Sequence, residues 1–190
     1  MIPPLTLSGV LPPFVSGYPD GGPGSMTPYW ATTTEVAARF CTSPERVKLF
    51  KGLLQLRAEL VALGVTHAVQ WLDGSFCEDV EVQRGRPPGD IDVVTLFVRP
   101  SHALADAAFA SFWASNQRVF NSKAAKATFG CEAFYIDIGL AASAVADQIT
   151  YWFGLFTHQR TSNLWKGMLA LPLASDDAAA STFVDGLYPT

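Results

Sequence analysis

The chain has 190 residues, 49% of them hydrophobic and 16% charged, with a formal net charge of -4. That composition suits one compact domain with a sizeable core and excludes a largely disordered chain. The acidic balance argues against a nucleic-acid surface of the usual basic kind. It leaves room for a nucleotide whose phosphates are neutralised by metal.

Residues 1–30 carry Pro- and Gly-rich runs such as "YPDGGPGSMTP", which predict an irregular arm. Leu5, Leu7, Val10, Leu11 and Phe14 predict that this arm packs on a body formed by residues 31–190. The opening lacks a basic n-region and prolines interrupt its apolar run, so it reads poorly as a signal peptide. "TTTEVAARF" predicts a short helix with a Thr cap. "SPERVKLFKGLLQLRAELVALG" predicts a longer one: Ser43 caps it, Pro44 suits its first position, Glu45 its first turn, and Gly64 ends it. Val47, Phe50, Leu54 and Val61 predict its apolar face.

"HAVQWLDG" predicts a strand leading to Gly74-Ser75, and "DIDVVTLFV" a second strand. "SHALADAAFASFWASNQ" predicts a helix, with Leu104, Ala108 and Phe112 at helical spacing. "EAFYIDIGL" predicts a third strand and "AASAVADQITYWFGLF" another helix, whose Tyr151, Trp152, Phe153 and Phe156 read as helix core. "KGMLALPL" reads as a short strand or edge segment, because Pro172 is awkward inside a central strand. "ASDDAAASTF" has no assigned conformation. The alternation predicts an α/β or α+β domain with a small mixed β-sheet covered by helices. Cys41, Cys77 and Cys131 are odd in number and have no zinc spacing, which predicts reduced thiols and a cytoplasmic location. No apolar stretch approaches the roughly 20 uncharged residues that span a bilayer, so no membrane partner is expected. His67, His102 and His158 have no ligand spacing, and Gly-Ser-Phe is not a serine-hydrolase nucleophile elbow.

Side chains alternate across a strand, so Asp90 and Asp92 point to one side while Ile91, Val93 and Phe97 take the other. Beyond Asp92 both faces turn apolar, as in a central strand with acids only at its mouth. Two carboxylates this close repel, and desolvating them costs several kcal/mol unless a positive charge compensates. A divalent cation compensates economically, and oxygen-only ligands favour Mg²⁺ or Mn²⁺ over zinc. The same residues also fit a turn cap (Asp90) and a solvated strand end (Asp92). Asp137, between two isoleucines, is unusual for a strand. It predicts a third acid for a two-metal cluster if its strand neighbours the second one. The alternatives are an edge acid facing water, and Glu132 as the substitute if the register differs. Gly74 permits close backbone approach to a phosphate, and Ser75 adds a hydroxyl donor.

"WLDGSF", "GDIDVV" and "FYIDIG" together resemble the signature of the DNA-polymerase-beta-like nucleotidyltransferase superfamily. The likeness is closest to minimal bacterial members, and covers roughly residues 65–140. "LTLSGVLPPF" and "WFGLFTHQRTSNLWKGML" extend it with less specific outer motifs. The resemblance implies a nucleotidyltransferase-like fold that moves a nucleoside monophosphate from a nucleoside triphosphate to a hydroxyl of a protein, a small molecule or an RNA end. It implies Asp90 and Asp92 as ligands of two metals, Asp137 as ligand of the metal that activates the hydroxyl, and Gly74 and Ser75 as holders of the triphosphate. Arg160 and Lys166 are candidate phosphate contacts, or ordinary surface charges. One departure stands out: where many members carry Arg or Lys soon after Gly-Ser, this chain has Glu78, Asp79 and Glu81, with Arg84 and Arg86 only later. A non-catalytic binding module of a toxin–antitoxin or phage-defence system is an alternative at the level of the family. A metal-dependent phosphohydrolase is another.

Overall fold

The computed structural model describes residues 1–17, 20–160 and 162–188. Five strands form one mixed sheet: β1 (Tyr29–Trp30), β2 (Ala68–Asp73), β3 (Ile91–Phe97), β4 (Cys131–Asp137) and β5 (Leu169–Pro172), in the order β1-β5-β2-β3-β4. β3 runs antiparallel to β2 and parallel to β4, and β5 pairs antiparallel with β2 and parallel with β1. The helices among the described residues are α1 (Thr33–Phe40), α2 (Pro44–Ala62), α3 (Val80–Arg84), α4 (Asp106–Ser115), α5 (Gln117–Phe120), α6 (Ser122–Phe129), α7 (Ala142–Phe156) and α8 (Asp177–Leu187).

Period-two alternation sorts the strand side chains between two cores. Leu72, Ile91, Val93, Phe97, Cys131, Ala133, Leu169 and Leu171 join the larger one, packed against α1, α2, α5, α6 and α8. Trp71, Val94, Ile136 and Ala170 face the other way, under Phe153, Trp152 and Phe156 of α7. β3 is therefore covered on both faces, as the apolar residues on both its faces beyond Asp92 predict. The expected α/β architecture, a small mixed sheet flanked by helices, is the one observed. No described helix is long and apolar enough to cross a membrane.

The helix starts follow local chemistry. Thr32 and Glu35 form a reciprocal capping box on α1, and the Ser43 hydroxyl accepts from Arg46 N at the start of α2. The buried face of α2 differs from the expected one. Val47 and Phe50 are buried, but Leu53, Leu56 and Leu60 complete the stripe, Leu54 is only partly covered and Val61 is exposed. Leucines occur almost all round this helix, so spacing alone left its rotation ambiguous. Arg57 is fully buried in the same stripe; it donates to Asp177 of α8, to Gln70 of β2 and to the carbonyls of Pro172 and Leu173.

β5 is an interior strand, not an edge segment. Pro172 is tolerated because β1 pairs only with Leu169 and Ala170, leaving Pro172 without a neighbour on that side. The arm is anchored as expected by Val10 and Leu11, both buried, with Leu5 partly covered; Leu7 is fully exposed and Phe14 packs edge-on against Trp165. It is not irregular to its end, because Tyr29 and Trp30 join the sheet as β1. Gly9 O accepts from Asp79 N, and Leu11 O accepts from Gly167 N, so the arm braces the segments on either side of the Gly-Ser bend's cleft.

α2 and α6 approach closely at Gly52. A Cβ on Gly52 would lie 1.9 Å from the Phe129 carbonyl oxygen. Ala normally gains about 1 kcal/mol over Gly inside a helix, whereas overpacking against backbone costs about 1–3 kcal/mol or more. Gly52→Ala is therefore expected to lower unfolding free energy by about 1–2 kcal/mol in a urea titration; a gain would mean that α6 does not sit this close.

Candidate active site

The antiparallel register of β2 and β3 places Asp73 opposite Asp92, so the end of one strand and the mouth of the next lie side by side. The chain leaves β2 through Gly74, whose φ is 77°, and enters a single helical turn at Ser75–Cys77. A Cβ at Gly74 would fall 1.9 Å from Asp92 Oδ2. Only glycine allows both this backbone conformation and the carboxylate seated against it.

In the parallel pairing of β3 and β4, Asp92 lies opposite Glu132. Asp90, Asp92 and Glu132 each offer an oxygen within 4.8 Å of the others. They share the wall of a cleft of about 310 Å³ with Gly74 and Ser75. The third acid is thus Glu132, not Asp137. Asp137 pairs with Phe97 at the far end of the strands, five residues beyond Glu132. That is roughly 16 Å along β4 and on its other face. There Asp137 is buried, accepts from Arg99 Nε at 2.5 Å and from Gly139 N at 2.9 Å, and closes the end of the strand. The signal for Glu132 was present in the sequence: it stands between Cys131 and Ala133, both of which face the larger core.

The acids are not equivalent. Burial pushes the Asp92 carboxyl up to about 6, and the neighbouring charges of Asp90, Asp73 and Glu132 add to the effect. Asp90 and Glu132 instead share the Lys126 ammonium, at 2.5 and 3.1 Å. Sequence reasoning missed Lys126; it approaches from α6, whose end at Gly130 turns directly into β4.

Lys166 is buried, as an ordinary surface charge would not be, and lies beside the Gly-Ser bend. Its ammonium contacts Asp73 Oδ1 at 2.8 Å and Glu78 Oε1 at 2.9 Å. Burial works against its charge, but the fields and hydrogen bonds of Asp73 and Glu78 outweigh that and hold its pKa above the usual lysine value. Glu78 also accepts from Arg84 at 2.9 Å and from Gln159 at 3.0 Å. Arg160 is exposed on the cleft wall. The acidic segment after Gly-Ser is therefore divided. Glu78 faces the cleft but is matched by Lys166 and Arg84, whereas Glu81 turns away to the buried Arg46, at 2.7 Å. Arg84, nine residues past Ser75, stands at the cleft where the expected early Arg or Lys is missing.

The fold and the site together define a small α+β domain with a carboxylate cluster at the start of the neighbouring strands β3 and β4, facing a glycine bend. Residues 3–172 match the group described as "Family of unknown function (DUF6932)", and the chain belongs to that family. The matched span contains all five strands and every acid of the cluster. No curated protein and no solved structure matches the chain.

The raised Asp92 carboxyl has a consequence for stability. Its folded pKa lies above the unfolded value of 3.8, so the folded state binds the extra proton and loses stability as pH rises from about 4 through about 6. Asp92→Asn removes that penalty. In EDTA, the stability of the variant relative to wild type is expected to grow by roughly 2 kcal/mol between pH 4 and pH 7. A pH-independent difference in urea midpoints would contradict the buried setting of Asp92.

Proposed function

We propose that this protein is a metal-dependent nucleotidyltransferase, passing a nucleoside monophosphate from a nucleoside triphosphate to a hydroxyl acceptor. The observation that carries the reading is the convergence of Asp90, Asp92 and Glu132 within 4.8 Å beside Gly74 and Ser75. Three carboxylates with no nitrogen or sulfur partner fit Mg²⁺ or Mn²⁺. An ion held there offsets charge on phosphoryl oxygens and makes a hydroxyl more acidic. The backbone at Gly74 and the Ser75 hydroxyl would hold the triphosphate, with Arg84 and Arg160 as the cations on the same cleft. Lys166 would act indirectly, by keeping Asp73 and Glu78 neutralised so that an anion tolerates the bend. Asp137 has no part in this chemistry. The acceptor class is a protein, a small molecule or an RNA end, and a cytoplasmic location, supported by three free, buried thiols, belongs to the same proposal.

A second reading is favoured by one feature. Lys166 and Arg84 are both already paired with carboxylates, which suits a domain that keeps the fold and works as a binding module for a protein partner.

Thermal unfolding separates the readings. With Mn²⁺ and a nucleoside triphosphate at about a hundred times Kd, stabilisation of about 2.7 kcal/mol is expected, a rise of roughly 5–10 °C in Tm. Asp92→Asn and Glu132→Gln are expected to abolish it and Asp137→Asn to keep it. Labelled triphosphates in a host lysate should then mark an acceptor. No shift with any nucleotide would favour the binding module, and monophosphate release without a labelled acceptor would indicate a phosphohydrolase.

A further inference from the structure

Lys126 is the one described cation that bridges two members of the acid cluster. Its ammonium lies 2.5 Å from Asp90 Oδ2 and 3.1 Å from Glu132 Oε2. The third member, Asp92, has no such partner among the described residues: its charged neighbours include Asp90, Asp73 and Glu132, with Lys166 opposing them. The ammonium therefore occupies one end of the cluster and leaves the other, nearer the glycine bend, to a different cation.

Formal charge decides how many ions the cluster takes. Three ionised carboxylates carry three negative charges and Lys126 returns one, so a single divalent ion brings the group to neutrality. A second ion placed on Asp90 and Glu132 meets the ammonium at the same oxygens, and like charges at hydrogen-bonding distance repel strongly in a partly desolvated cleft. The lysine can leave. It is about half exposed, on a flexible four-carbon stem, and α6 borders solvent there.

Resting on the metal-site reading above, we infer that Lys126 is a tethered cation that competes with a second divalent ion for Asp90 and Glu132, so that the resting cluster holds one ion. Filling the second position requires Lys126 to swing out. The bound triphosphate, by adding negative charge at the bend, favours that exchange. Lys126 thereby links occupancy of the nucleotide to completion of the metal pair.

Mn²⁺ titration of the full chain, without nucleotide, tests this. Wild type and Lys126→Arg are expected to bind one Mn²⁺ over a range in which Lys126→Met binds two, the second at least tenfold more tightly than in wild type. Acylation of the unmodified protein by an N-hydroxysuccinimide ester, read by peptide mass spectrometry, tests the movement without any substitution. With Mn²⁺ and a non-hydrolysable triphosphate bound, labelling of Lys126 should rise severalfold over the Mn²⁺-only state, while the exposed Lys123 stays constant. Equal stoichiometry and affinity in wild type and Lys126→Met, or unchanged Lys126 labelling, would overturn the exchange and leave the metal site standing. Absence of Mn²⁺ binding by every variant would remove the metal site, and the exchange with it.

Discussion

The site depends on one steric constraint, the contact of the Asp92 carboxylate with the backbone of Gly74. The antiparallel register of β2 and β3 sets Asp73 against Asp92, and the bend must pass beneath a carboxylate that leaves no room for a Cβ. That contact brings the backbone amides after β2 and the acids at the start of β3 to one cleft. Without it the acids would still line a strand end, but nothing would face them.

Charge management follows from that geometry. Asp73, Glu78, Asp90, Asp92 and Glu132 all line the cleft, against Arg84, Arg160 and Lys166. The protein divides these acids into two groups. Asp73 and Glu78 are satisfied from within by Lys166, a buried arrangement that tolerates no loss of one partner. Of the other three, Asp90 and Glu132 share Lys126, while Asp92 has no ion pair among the described residues and carries the cost as a raised pKa. A group that could have been paired internally and is not is where an external cation is best accommodated.

Segments remote in the chain set this arrangement. The arm accepts hydrogen bonds from Asp79 and Gly167, one on each side of the Glu78–Lys166 contact. Gly52 lets α6 settle on α2 and so delivers Lys126 to the cluster. Arg46, buried under the turn after Ser75, donates to the carbonyls of Phe76 and Glu78 and keeps Glu81 out of the cleft. The matched family span takes in all of these residues.

The sequence by itself determined the local elements and half of the site. Capping at Thr32 and Ser43, the glycine stops, and strand alternation around Asp90 and Asp92 are short-range effects, legible because each depends on residues a few positions apart. The position of Gly74-Ser75 before the acids was legible for the same reason. Which third acid completes the cluster was not. Glu132 and Asp137 lie on the same strand, and only the parallel register with β3, set by packing of α6 and the strands around it, puts Glu132 beside Asp92 and Asp137 beside Arg99. The rotation of α2, the interior place of β5, the burial of Lys166 and the approach of Lys126 were likewise tertiary decisions. Each depends on which distant surface offers a complementary shape or charge, and no local pattern encodes that choice.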